Sequence, residues 1–88
     1  MISENITVTN RLGIHARPAA MLAQTASRFM CDIKIAKDGV EVNAKSVMGV
    51  MMLAAPKGSV LKITTKGADE TEAMEELKQL FARGFDED

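Results

Sequence analysis

Apolar and polar side chains alternate along the first nine residues. Ile2, Glu4, Ile6 and Val8 share one face, and Ser3, Asn5, Thr7 and Thr9 share the other. A period of two is that of a half-buried strand. Asn10 to Gly13 reads as a loop, and then the period changes. Ala19, Leu22, Ala23 and Ala26 recur at i, i+3, i+4 and i+7, which predicts a helix from Ala16 to about Arg28. Its alanines let it lie close to whatever it covers. Asp32 to Lys37 and Val40 to Ala44 flank Asp38-Gly39, a strong two-residue hairpin signal. With that turn Ile35 faces Val42 and Ile33 faces Ala44 on one side of the sheet.

Ser46 caps a short predicted helix from Val47 to about Leu53, ended by Pro56 and Gly58. Val60 to Lys66 is a fourth strand with Leu61 and Ile63 on its buried face. Asp69, with Glu72 three residues on, has the spacing of a capping box. Ala73, Met74, Leu77, Leu80 and Phe81 then form the core stripe of a last helix. Gly84 stands where a C-terminal cap belongs, and Phe85 to Asp88 reads as a tail. The order is β-α-β-β-α-β-α, with strands apolar on one face only. That predicts an α+β fold, a two-layer open-faced sandwich: a four-stranded antiparallel sheet with three helices on one face and solvent on the other.

Composition narrows the function. Residues 1–88 are enough for one core and not two, so a single domain is expected. With 47% hydrophobic residues, disorder is excluded. Cys31 is the only cysteine and His15 the only histidine, so neither an internal disulfide nor a zinc site is available. No metal or cofactor is expected. No apolar run is long enough to span a bilayer and no charged-then-apolar leader opens the chain, which reads as soluble, unprocessed and cytoplasmic.

A net charge of −1, no Trp or Tyr and three Phe argue against nucleic acid as a partner. The charge is nevertheless polarised. Residues 1–66 carry nine basic and four acidic side chains, whereas residues 67–88 carry two basic and eight acidic. The basic part could steer toward an acidic partner.

That basic part holds the candidate chemistry, Gly13-Ile14-His15-Ala16-Arg17-Pro18-Ala19-Ala20. A lone histidine is commonly a surface residue or a cap, but this one has a rigid mount. Gly13 permits a bend before the cap. Ile14 is placed to fix the entry angle, and Pro18 lies in the first helical turn, where a missing N–H costs nothing. At a helix mouth, unpaired N–H groups and the dipole favour phosphate. Arg17 adds a fork suited to phosphate oxygens. A neutral imidazole is a nucleophile, so the segment holds an acceptor for a phosphoryl group and two means of stabilising it.

Those residues resemble the active-site motif of the HPr family, the histidine phosphocarriers of the bacterial phosphotransferase system. Lys45-Ser46-Val47-Met48-Gly49-Val50-Met51 is similar to that family's regulatory-serine segment. The order of elements matches along essentially the whole chain. The resemblance implies a carrier and not an enzyme. His15 would accept a phosphoryl group on Nδ1 from phosphorylated Enzyme I and pass it to an enzyme IIA-type acceptor. The Ala16 and Arg17 amides would face Nδ1, and their positive field would keep that nitrogen nucleophilic.

The resemblance also implies that an HPr kinase/phosphorylase modifies Ser46. Part of the Met-rich stretch must be core, with Val50 and Leu53 the candidates, and the resemblance places a partner-docking patch at Ala20, Met48 and Met51. A monomer fits a carrier that shows one face to several partners. Thr9 to Gly13 and the ending Leu80 to Asp88 look like the carrier of the nitrogen-related branch, whereas the Ser46 segment looks like carriers regulated by the kinase. Two alternatives stand beside this reading. One is a purely regulatory interaction domain signalling through phospho-Ser46. The other is a small hydrolase using His15, against which stands the lack of a nucleophile or paired acid beside it.

Overall fold

The computed structural model describes residues 1–87. The alternation in the strands becomes a two-faced sheet. Its strands are β1 (Ile2–Thr7), β2 (Asp32–Lys37), β3 (Val40–Asn43) and β4 (Val60–Lys66). They lie in the order β1-β4-β2-β3, with every neighbouring pair antiparallel. Ile33, Ile35, Leu61, Ile63 and Thr65 point into the core, while Asp32, Lys34, Lys62 and Lys66 alternate with them on the open face. The hairpin register is the expected one. Ile35 pairs with Val42, and the Ala44 amide donates to the Ile33 carbonyl at 3.0 Å.

The helices are α1 (Ala16–Ser27), α2 (Val47–Met52) and α3 (Glu70–Ala82). Each turns its apolar stripe to the sheet. Ala19, Leu22, Ala23 and Ala26 of α1 and Ala73, Met74, Leu77, Leu80 and Phe81 of α3 are all buried. Val50 and Leu53 are the buried residues at α2. A fully buried Leu, Met or Phe contributes about 1.5–3 kcal/mol and an alanine methyl less, so Leu22 of α1 and the four large residues of the α3 stripe do most to hold the helical layer down. Among the described residues no helix is long and apolar enough to cross a membrane.

Two local expectations are corrected. Asp69 and Glu72 form no capping box. The Asp69 carboxylate leaves its own helix and accepts from the Met30 and Cys31 amides at 2.8 and 2.9 Å, closing the turn after α1. Those amides follow the end of a helix and need a partner that local pattern does not reveal. They hold the Asp69 carboxyl below its usual range, the Met30 amide foremost. Glu70 makes the backward reach instead, accepting from the Gly67 amide at 3.1 Å while pairing with the Met1 ammonium at 2.9 Å.

The second correction concerns the C-terminal tail. Gly84–Asp86 is a 3-10 turn, Gly84 has φ +60°, and Phe85 is fully buried. Its ring meets Phe81 edge-on, 4.9 Å between centroids at 70°. A bulky apolar residue after a left-handed glycine cap folds back onto the helix it follows. Asp88 lies outside the described residues.

Candidate functional site

The loop between β1 and α1 is tied at several points. The Gly13 amide donates to the Asn10 carbonyl at 3.1 Å, and the buried Asn10 Nδ2 donates to the Gly13 carbonyl at 2.7 Å. The Ile14 amide donates to the Ala55 carbonyl at 2.8 Å, just beyond α2. Gly13 has φ +69°, and a Cβ there would run into the Ala55 carbonyl and stand 2.8 Å from Pro56 Cα. Glycine is required on both counts.

His15 is the N-cap of α1, with extended backbone (φ −87°, ψ −169°). Its side chain makes no capping hydrogen bond to the helix. The Ala16 and Arg17 amides open the helix and have no intrahelical acceptor. Pro18, the third helical residue, has no N–H to offer. The exposed Arg17 lines an open cleft with Arg11, Leu12, Asp86 and Glu87. His15 and the Ala16 and Arg17 amides therefore share the mouth of α1, and the Arg17 side chain lies on the adjoining cleft.

What the sequence did not announce is Glu87. Its carboxylate oxygens lie 3.0 and 3.1 Å from His15 Nε2, with the two side chains 36% and 13% exposed. Asn10 Nδ2 also donates to Glu87 Oε1 at 3.1 Å. The amide orientation follows from its partners: turned over, the Asn10 oxygen would face two acceptors. The hydrogen bond with His15 is the main reason the Glu87 carboxyl lies below its ordinary value, with Asn10 and the His15 and Arg17 charges acting in the same direction. The helix mouth is thus not the wholly positive environment expected, because a carboxylate stands on the far edge of the ring. A signal existed in the acidic ending that follows Gly84-Phe85. Reading it needed the knowledge that Phe85 turns inward.

Ser46 is the N-cap of α2, and its Oγ accepts from the Gly49 amide at 3.0 Å. Lys45 Nζ donates to the Phe29 carbonyl at 2.7 Å, tying this junction to the end of α1. Six residues of α2 span about 9 Å, and its far end leads to Ala55, the partner of Ile14. Ser46 is therefore separate from the imidazole but on the helix that braces its loop.

Met48 is 77% exposed and Met51 43%, on a helix packed against α1, where Ala20 is partly exposed. Leu12, Val47 and Met52 extend the apolar exposure of this part of the molecule. Cys31 is buried, and burial above all pushes its thiol up to about 11. Among the described residues no group of three or more His, Cys, Asp or Glu side chains is placed to hold a metal.

Fold and site together define an open-faced α+β domain that presents one histidine at an uncapped helix mouth. Comparison with known proteins places it. Residues 2–83 match the family described as "PTS HPr component phosphorylation site". The phosphocarrier protein HPr of Xylella fastidiosa (strain Temecula1 / ATCC 700964) is 49% identical over 88 residues, covering 100% of this chain and 99% of that protein. The crystal structure of HPr-C-His from Thermoanaerobacter tengcongensis superimposes with a TM-score of 0.96 at 44% identity, covering 100% of this chain and 99% of that one. The HPr-like protein Crh of Bacillus subtilis (strain 168) is 44% identical over 77 residues, 88% of this chain and 91% of that protein. The chain belongs to the HPr family, the phosphocarriers of the phosphotransferase system.

Proposed function

We propose that His15 is the carrier residue: its Nδ1 takes a phosphoryl group from phosphorylated Enzyme I and hands it to an enzyme IIA-type acceptor. The observation that carries this reading is the uncapped mouth of α1. The N-cap imidazole leaves the Ala16 and Arg17 amides unused by the helix, and its Nε2 edge is taken by Glu87, so Nδ1 is the free nitrogen. Arg17 supplies a permanent cation for the phosphoryl oxygens. The dipole is worth roughly 0.3–1 kcal/mol and a charge-assisted hydrogen bond about 1.5–3 kcal/mol. Sums of this size hold a phosphoryl group and still let it leave, as a carrier requires. The protein works as a cytoplasmic monomer without cofactor, docking its partners through Ala20, Met48 and Met51. On this reading it turns nothing over by itself and is not an enzyme.

Ser46 is the regulatory site in this reading, with an HPr kinase/phosphorylase as its modifying partner. A phosphate there adds about −1.5 to −2 charges. A helix N-terminus tolerates that charge, but a surface that receives acidic partners does not. Phospho-Ser46 therefore slows phosphorylation of His15 by Enzyme I, and equal rates for the two forms would refute the regulatory role.

Likeness to Crh supports a second reading, a regulatory domain acting through phospho-Ser46 alone. One experiment separates the two. The chain is incubated with phosphoenolpyruvate and an active bacterial Enzyme I, and its intact mass is followed beside a His15→Ala control. One acid-labile phosphoryl group, lost in the control, is the expected result. No label in the presence of active Enzyme I overturns the carrier reading and leaves the regulatory one.

A further inference from the structure

Glu87 has a fixed mount. Phe85 is fully buried against Phe81, so the turn Gly84–Asp86 delivers the following carboxylate to a helix mouth far away in the chain. Both oxygens reach Nε2, at 3.1 and 3.0 Å, and the buried Asn10 donates to one of them at 3.1 Å while its other amide hydrogen goes to the Gly13 carbonyl. The carboxylate is therefore held from the loop that carries the histidine as well as from the tail.

We propose that Glu87, held by Asn10, is a positioning residue that fixes the His15 proton on Nε2 and so leaves the Nδ1 lone pair as the attacking one. The functional part of this role rests on His15 being the phosphoryl acceptor. An ionised carboxylate has only acceptor sites, so a neutral imidazole against it must present N–H at Nε2. The partner of one ring nitrogen decides which nitrogen carries the proton. The hydrogen bonds that lower the Glu87 carboxyl keep it ionised through the neutral range.

The transfer step is balanced without moving a proton. The Nδ1 lone pair forms the N–P bond as the bond between phosphorus and the donor atom breaks, and the donor atom leaves with that bonding pair. The ring keeps its Nε2 proton and takes the positive charge of an N-phosphorylated imidazolium, which then faces the Glu87 carboxylate. On onward transfer the N–P pair returns to Nδ1, and the ring is neutral again. The phosphoryl group and the carboxylate occupy opposite edges of the ring, so the two anions do not compete for one place.

Nitrogen NMR of the imidazole in the unphosphorylated protein, at about pH 8.5 and well above the ordinary histidine range, reads the tautomer directly. Wild type is expected to show a pyrrole-like Nε2 and a pyridine-like Nδ1. In Glu87→Ala the two shifts move toward each other, whereas Glu87→Gln, which keeps an acceptor oxygen, stays near wild type. With Enzyme I as donor, Glu87→Ala lowers kcat about tenfold, the low end of what removal of a carboxylate that orients a metal-bound histidine costs, and leaves KM unchanged. A Glu87→Ala ring spectrum like wild type, or an unchanged kcat, overturns the proposal. A ring spectrum that depends on Glu87 in a chain that accepts no phosphoryl group overturns the carrier reading instead.

Discussion

Two helix mouths in this molecule carry a reactive side chain at the N-cap, and they are built in opposite ways. At α2 the Ser46 hydroxyl turns inward and accepts from the amide of Gly49, three residues on. At α1 the residue three beyond His15 is Pro18, which has no N–H, and the imidazole turns away to Glu87. One mouth has its N-cap side chain engaged by the helix and is closed in that sense, and the other has its N-cap side chain free of the helix and open to an external group. The contrast separates a junction that stabilises the fold from a junction that can do chemistry. It also explains why a phosphate would act differently at each. At His15 it would sit on a ring that caps nothing, whereas at Ser46 it would sit on the oxygen that already accepts from the Gly49 amide.

The largest effect is expected where the open mouth is tied to the core. Phe85→Ala removes a fully buried ring and its edge-on contact with Phe81. It should cost about 3–5 kcal/mol in urea unfolding and release Glu87 from His15, while the Ser46–Gly49 hydrogen bond survives. A cost below about 1 kcal/mol, the range of ordinary surface changes, would mean that the tail is not packed as described.

Arg17→Ala tests the open mouth itself. Loss of a hydrogen bond to a charged group, about 1.5–3 kcal/mol, should slow phosphorylation of His15 by roughly ten- to a hundredfold. Unfolding should change by no more than about 0.5 kcal/mol, because the side chain is exposed. A rate equal to wild type removes Arg17 from the site and leaves the helix amides as the only stabilising donors.

Much of this contrast was legible in the sequence, and the rest was hidden for one physical reason. The strands, the hairpin register and the stripes of α1 and α3 follow from period and turn chemistry, which are local. So do the Ser46 cap and the placement of His15 at a helix mouth. Asp69 was misread because its carboxylate leaves its own helix for the amides of Met30 and Cys31. Glu87 was missed for the same reason, since it meets His15 only after Phe85 has folded under. Both misreadings concern a carboxylate near a helix end, where local capping competes with distant unpaired donors. Pattern shows the local option alone. Family resemblance did not help with Glu87: the likeness of the Leu80 to Asp88 ending to the nitrogen-related carrier covers that residue but implied no contact with His15.

At the closed mouth a smaller stability effect is expected. Ser46→Ala should cost about 1 kcal/mol, the usual worth of an N-cap, and leave phosphorylation of His15 close to wild type. Ser46→Asp keeps a capping oxygen, adds charge, and should be nearly as stable as wild type while accepting the phosphoryl group more slowly. Urea unfolding beside an Enzyme I assay checks both halves. If Ser46→Ala slows His15 as much as Ser46→Asp does, the two mouths are coupled through α2 and Ala55, and charge is not the agent.

Acid separates the mouths most gently. The Glu87 carboxyl is lowered from its ordinary 4.5, chiefly by its hydrogen bond with His15. A group lowered in the folded state contributes stability that is fully present above its unfolded value and is lost as pH falls through its folded one. Docking of the tail should therefore be complete above that ordinary value of 4.5 and come undone as pH falls beneath it. Asp69 and Glu70 are lowered too, first by the Met30 and Gly67 amides respectively, so general acid unfolding has the same sign. The Ser46 cap contains no titrating group.

Proton NMR from about pH 6 to about pH 3 should show the Gly84 and Phe85 signals moving before the Gly49 amide does, and Glu87→Gln should abolish the early movement. If Gly49 moves in step with the tail, the open and closed mouths are one cooperative unit and the contrast between them is static only. If the tail moves first, the carboxylate on Nε2 is a detachable part of the site, held by a proton balance that the serine junction lacks.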